Sequence, residues 1–207
     1  MSTFAQFTSW FSSERLKPYV DACGGECGRA IRLYAWNVGA SGAFMEVMHH
    51  VEVLLRNRIA ETLAADVGRQ WYTNASVLTP AGLGMVTEAV DRIRGSGRRV
   101  TYGQVIASLA FGFWSGLFSA DTHSEETWRR HLHKAFRAHG PRRRKDVAGR
   151  LSVIRIFRNR LAHHEPIHGQ NLHERHEELL ELASWLDPAA EAWIRRESRV
   201  PSLPRRP

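Results

Sequence analysis

The residues best suited to chemistry lie in the run Arg158-Asn159-Arg160-Leu161-Ala162-His163-His164-Glu165-Pro166-Ile167. An imidazole titrates near neutrality and can take up and release a proton at working pH. A guanidinium stays charged and offers paired, planar donors that fit phosphoryl oxygens. Together they suit cleavage of a phosphodiester by an internal 2′-hydroxyl, as in RNA. His163 would move protons, contributing roughly 10²- to 10⁴-fold. Arg158 would take the charge that builds on the phosphorus oxygens, with Asn159 as the adjoining polar group. This chemistry asks for no metal and no cofactor.

The run falls at the end of a helix expected from about Arg143 to His164. With Val147 at 0°, Leu151 lies at about 40°, Ile154 at about 340° and Leu161 at about 320°, an apolar stripe. Arg158 falls at about 20°, inside that stripe, where a charge is costly unless it is paired or faces a cleft. Asn159 and His163 share a flank at about 120° and 160°, so Arg158 and His163 stand about 140° apart on a straight helix. Pro166 pushes Glu165 out of the α region, so His163 and His164 are expected in the last turn. The helix dipole there favours a protonated imidazole. His164 is the second candidate for the proton-moving role.

Arg followed at this interval by His would arise by chance roughly four times in so Arg-rich a chain, and although Arg158 is the only Arg with a His at those offsets, the information lies in the whole string. It resembles the signature of the HEPN superfamily: an Arg, a polar residue, then a His after four to six intervening positions. The extended form resembles the Abi-like, abortive-infection branch. Two further segments agree with it: Glu52-Val53-Leu54-Leu55-Arg56-Asn57-Arg58-Ile59 and Leu109-Ala110-Phe111-Gly112-Phe113-Trp114-Ser115-Gly116-Leu117-Phe118. The resemblance spans about 27–186. It implies an all-α helical bundle, usually dimeric, acting as a metal-independent endoribonuclease in antiphage or toxin–antitoxin systems. Arg158, Asn159 and His163 would be its catalytic residues. Two copies of the site would meet across the dimer, which eases the angular separation, and an antitoxin or regulatory protein is a further expected partner. The alternative is a non-catalytic RNA- or protein-binding module of the same fold, with Arg158 a structural charge paired with Glu52 or another carboxylate.

Other groups are weighed around that centre. Glu52 and Arg56 are spaced i, i+4, an ordinary intrahelical pair or two side chains reaching the same cleft, on a face shared with Met45, Ile59 and Leu63. The echo between Leu54–Ile59 and Ile156–Leu161 is no second catalytic copy, because Glu61 stands where a His would be needed. Arg142, Arg143, Arg144 and Lys145 precede the motif helix, and with Arg160 they could lead an RNA backbone toward it. Phe111-Gly112-Phe113-Trp114 reads as core, with a base-stacking platform as the alternative. His173-Glu174-Arg175-His176 is one residue short of a His-Glu-x-x-His zinc site, and solvated histidines are expected instead. Cys23 and Cys27 are too few for a disulfide framework or a structural zinc site, and read as ordinary thiols.

Helix signals dominate these 207 residues and no useful alternating strand is present. Helices are expected at about 13–22, 27–38, 43–67, 80–94, 102–110, 124–138, 143–164 and 172–197, the last broken at Asp187-Pro188. Thr79-Pro80 supplies an N-cap with Pro at the first helical position. Thr122 with Glu125 has capping-box spacing. One domain to about residue 197 is expected, followed by a frayed basic, Pro-rich tail over 198–207. The 29 basic residues exceed the 21 acidic ones and give a net charge of +8. Eight of the basic residues fall between Gly140 and His164 against the single acid Asp146, which suits a phosphate-rich partner. The longest nearly apolar run, Val105 to Phe118, is 14 residues, short of the roughly 20 that span a membrane. With no basic start typical of a secretory signal, a cytoplasmic location is expected.

Overall fold

A computed structural model describes residues 3–136, 140 and 143–207, with Thr122 described in its backbone only. Among the described residues the structure is all-α, with no strand. The helices are α1 (Phe4–Phe11), α2 (Ser13–Ala22), α3 (Cys27–Val67), α4 (Pro80–Gly95), α5 (Tyr102–Ser108), α6 (Phe111–Gly116), α7 (Thr122–Arg130), α8 (Arg144–Ala162), α9 (Leu172–Leu186) and α10 (Pro188–Glu197). Short 3₁₀ turns lie at Trp71–Thr73, Leu132–Ala135 and Val200–Ser202.

The spine is α3, 41 residues or about 60 Å long. It packs against α8 and α9 on one side, and α2, α5 and α6 touch it along its length. Two helices with a break between Val38 and Ala43 are expected, but the helix runs through, past the glycines at 39 and 42. Leu33, Ala40, Phe44, Val47, Val51 and Leu55 keep the buried stripe in phase across that stretch. Gly39 and Gly42 face solvent, and packing of the opposite face outweighs a propensity cost of about 1 kcal/mol per glycine.

Local chemistry sets the other ends. Thr79 accepts from Gly82 N–H at 3.2 Å, with Pro80 opening α4. Asp187 caps α10 through Ala189 and Ala190 N–H, at 2.9 and 3.2 Å, so the break before Pro188 stands. The start of α7 is corrected: Asp121, not Thr122, is the N-cap, accepting from Ser124 N–H at 2.7 Å. A carboxylate at this position also complements the helix dipole.

The segment around Phe111 forms its own helix, α6. Phe111, Phe113 and Trp114 are buried in the main core against Trp71, so these rings are not free to stack on bases. Residues 198–207, expected to fray, make several contacts. Val200 is buried, Trp36 Nε1 donates to Pro204 O at 2.8 Å, and Arg206 Nη1 donates to His168 O at 2.9 Å. Among the described residues no helix is long and apolar enough to cross a membrane.

A Cβ built on Gly39 or Gly42 meets nothing within 4 Å. Gly39→Ala and Gly42→Ala should therefore each raise unfolding free energy by about 0.5–1 kcal/mol. Urea titration would read the gain, and a loss would mean that α3 is not continuous there in solution.

Candidate active site at the end of α8

On α8 the buried residues are Val147, Leu151, Ile154, Phe157 and Leu161. Phe157, at about 280°, moves the centre of the buried stripe away from Arg158. Arg158 therefore sits on the edge of the stripe rather than in its middle, with 34% of its side chain exposed. Its Nε donates to Glu52 Oε1 of α3 at 3.1 Å, and Glu52 is itself 28% exposed. Among the described residues the two Nη groups of Arg158 have no hydrogen-bond partner. Glu52 thus grips the guanidinium from its inner edge and leaves the outer fork open. A fork so held is oriented without being consumed, which is what an incoming phosphoryl group needs.

Helix α8 stops through a Schellman turn. His163 is the C-cap and its N–H reaches Asn159 O at 2.9 Å. His164 follows in the left-handed region at φ 57°, donating to Leu161 O at 3.0 Å, while Glu165 N–H reaches Arg160 O at 2.8 Å. His164 is thus outside the last helical turn where both histidines are expected. Arg160 reinforces the turn, pairing with the Glu165 carboxylate at 3.5 Å and donating to Pro166 O at 3.2 Å. These contacts give Arg160 a structural task in the turn, with 35% of its side chain exposed.

Three distant segments hold the loop that follows. Arg15 of α2 donates to His164 O. Asn37 of α3 is 3% exposed, and its Oδ1 accepts from Ile167 N–H at 2.8 Å and His168 N–H at 3.1 Å. Arg206 holds His168 O from the other end of the chain. Asn37 is missed by sequence reasoning. Its one visible signal is an amide on the buried stripe of α3, four residues after Leu33.

Asn159 and His163 are exposed on the flank of α8 expected for them. Among the described residues no hydrogen bond links either to Arg158. Arg56, one turn beyond Glu52, has its Nε buried without a partner. Met45, counted on their apolar face, is 43% exposed, because the buried stripe of α3 is centred on Phe44, Val51 and Leu55 instead.

The basic run before α8 divides. Arg142 lies outside the described residues. Arg143 pairs with Asp146 at 2.9 Å, and Lys145 is exposed. Arg144 is committed to the fold: 13% of its side chain is exposed, Nε pairs with Glu125 at 2.9 Å, and Nη1 donates to Phe118 O and Ser119 O at 2.6 and 2.7 Å. Its Nε and Nη1 donors are thus occupied inside the protein.

The histidines beyond the motif are not all solvated. His176 is 3% exposed and its Nε2 meets Ser198 Oγ at 2.9 Å; burial holds its imidazole below the usual histidine range. His168 packs on Tyr19 with ring centres 5.1 Å apart, and burial followed by Arg206 lowers its pKa. Among the described residues no three His, Cys, Asp or Glu side chains converge as a metal site would require.

Compared with family models, curated proteins and solved structures, the chain matches none of them.

Asn37→Leu should lower unfolding free energy by about 1–3 kcal/mol, because the buried Ile167 N–H and the part-buried His168 N–H lose their acceptor. A loss under about 0.5 kcal/mol in urea titration would mean that the loop does not depend on Asn37. His164→Gly should act oppositely, adding about 1 kcal/mol by relieving a left-handed non-glycine residue. A fall in thermal midpoint for this variant would show that the imidazole makes contacts outweighing its backbone strain.

Proposed function

We propose that the protein is a metal-independent endoribonuclease of the HEPN type, of the kind found in Abi-like antiphage or toxin–antitoxin systems. The observation that carries this reading is the state of Arg158: anchored at Nε by Glu52, with both Nη groups open. A purely structural ion pair is better served by a bidentate arrangement, in which the fork itself faces the carboxylate. Here the carboxylate takes the one donor that leaves the fork outward.

In this reading the open fork binds two non-bridging oxygens of an RNA phosphate. His163, exposed one turn on, accepts the proton of the adjacent 2′-hydroxyl. The 2′-oxygen bonds to phosphorus, the bond to the 5′-oxygen breaks, and that oxygen leaves as a hydroxyl after taking a proton from imidazolium or water. The products are a 2′,3′-cyclic phosphate and a 5′-hydroxyl. Glu52 acts through Arg158 and is a positioning residue. Arg158 and His163 diverge around α8, so a second copy of the chain completes the site. The outward flank of α8 suits such a copy, since Ile156 is 62% exposed beside Asn159 and His163.

The Arg158–Glu52 pair also favours a second reading, a non-catalytic RNA- or protein-binding module in which the pair only joins α3 to α8. The two readings separate experimentally. With single-stranded RNA in chelator, the wild type should leave cyclic-phosphate ends. His163→Ala and Arg158→Met should lose at least about 100-fold in rate. Glu52→Gln should cleave more slowly with little change in stability, and His164→Gly should retain cleavage. Ends bearing 3′-hydroxyl and 5′-phosphate would overturn the mechanism. A folded, inert wild type, together with an Arg158→Met/Glu52→Met variant that keeps stability and RNA or partner binding, would establish the module.

A further inference from the structure

Between α6 and α8 lies a cleft of about 210 Å³, walled by Gly112, Ser115 and Gly116 of α6 and by Leu151, Ser152 and Arg155 of α8. Arg155 is exposed and, unlike Arg143, Arg144, Arg150 and Arg160, makes no ion pair or hydrogen bond among the described residues. The Ser152 hydroxyl is likewise unengaged among them. Cβ atoms built on Gly112 and Gly116 meet nothing within 4 Å, so the missing side chains leave the α6 wall open instead of serving close packing.

The place of Arg155 on α8 matters as much as its freedom. At about 80° it falls between Arg158 at about 20° and the His163 flank at about 160°. Along the axis it precedes Arg158 by about 4.5 Å and Asn159 by about 6 Å. A strand whose scissile phosphate lies on the Arg158 fork, with its 2′-hydroxyl facing the His163 of a second copy, passes this residue one step along its backbone when it runs toward the start of α8.

We propose that the α6–α8 cleft is a nucleotide subsite for single-stranded RNA. Arg155 binds the phosphate next to the scissile one, and the attached nucleoside lies in the cleft against Leu151, within reach of the Ser115 and Ser152 hydroxyls. The cleft combines an apolar floor with hydroxyls on both walls, as a nucleoside requires, with a flat ring to bury and polar edges to satisfy. The subsite rests on the ribonuclease reading and adds to it where the strand runs: from the Arg158 fork back along α6 toward the start of α8, where Phe118 and Ser119 also line the cleft and their carbonyls already hold Arg144.

The test is binding of a short single-stranded RNA, in chelator and over a range of salt, on a His163→Ala background with the RNA shown intact by gel. Arg155→Gln should weaken binding roughly tenfold and reduce the slope of log affinity against log salt by about 0.7, the loss of one phosphate contact on a single strand. Ser152→Leu, on the exposed side of α8, should fill the cleft and weaken binding with the slope unchanged. Thermal midpoints confirm that both variants are folded. Wild-type affinity and slope in both variants, with cleavage by the parent protein intact, would overturn the subsite and leave the ribonuclease reading standing. An altered slope for Arg155→Gln with no effect of Ser152→Leu would overturn the placement of the nucleoside. A folded parent protein that neither binds nor cleaves RNA would overturn the reading and the subsite together.

Discussion

Everything at the candidate site depends on α3 running unbroken past Gly39 and Gly42. Asn37, which fixes the loop after α8, and Glu52, which fixes Arg158, are 15 residues apart on that helix, about four turns or 22 Å. A helix of this length is stiff along its axis, so the two anchor points hold a set separation. They hold the two ends of the motif: Glu52 at Arg158 on α8, and Asn37 at Ile167 and His168 in the loop beyond it. A flexible joint at the glycines would uncouple the two grips. The geometry of six residues on α8 is therefore decided by the continuity of a helix more than 100 residues earlier in the chain.

Charge follows a similar division of labour. The density of Arg between Gly140 and His164 suggests a uniform basic face, yet three of the described guanidinium groups are committed to holding the fold. Arg144 closes the start of α8 onto α7, Arg150 pairs with Glu178 at 3.0 Å across to α9 and also contacts Glu181, and Arg160 seals the terminal turn. Guanidinium suits these tasks because its five donors can satisfy several carbonyls and carboxylates at once. Among the described residues of the segment, the basic groups left without an ion pair or hydrogen bond are Arg155, the Nη groups of Arg158 and Lys145, while Arg143 is exposed but paired with Asp146. The net charge of the segment overstates the surface offered to an anion, and the placement of the uncommitted donors is the more informative quantity.

The helical class, the end of α4's cap at Thr79 and the break at Asp187 are legible in the sequence because each rests on neighbours in the chain. Periodicity and capping are local. The pairing of Glu52 with Arg158 is also within reach, since a charge near an apolar stripe demands a carboxylate and few stand on facing stripes. Asn37 and the docking of residues 198–207 are not legible, because a buried amide and a Pro-rich tail give no local sign of which backbone groups they will meet. The α3 glycines mislead for the same reason: their propensity is local, while the packing that overrides it comes from α8 and α9. His164 misleads differently. A left-handed residue after a helix is usually glycine, and a histidine there is tolerated because Arg15, Arg160 and Asn37 overdetermine the turn around it.

That overdetermined turn bears on why α8 ends with two histidines and only one belongs to the proposed chemistry. His163 completes the helix with its side chain on the outward flank, whereas His164 has its backbone committed on both sides, its N–H to Leu161 and its carbonyl to Arg15. The direction of the His163 side chain is set by the helix, and the helix and the loop beyond it are held by Glu52 and Asn37. A straight helix cannot also bring His163 round to the Arg158 fork, since about 140° of its circumference lies between them. A catalytic pair built on such a helix has to be completed from outside it. In the proposed reading the exposed Ile156 on the His163 flank offers a second copy an apolar patch, and the rigidity that separates the two groups within one chain is the same property that would align them between two.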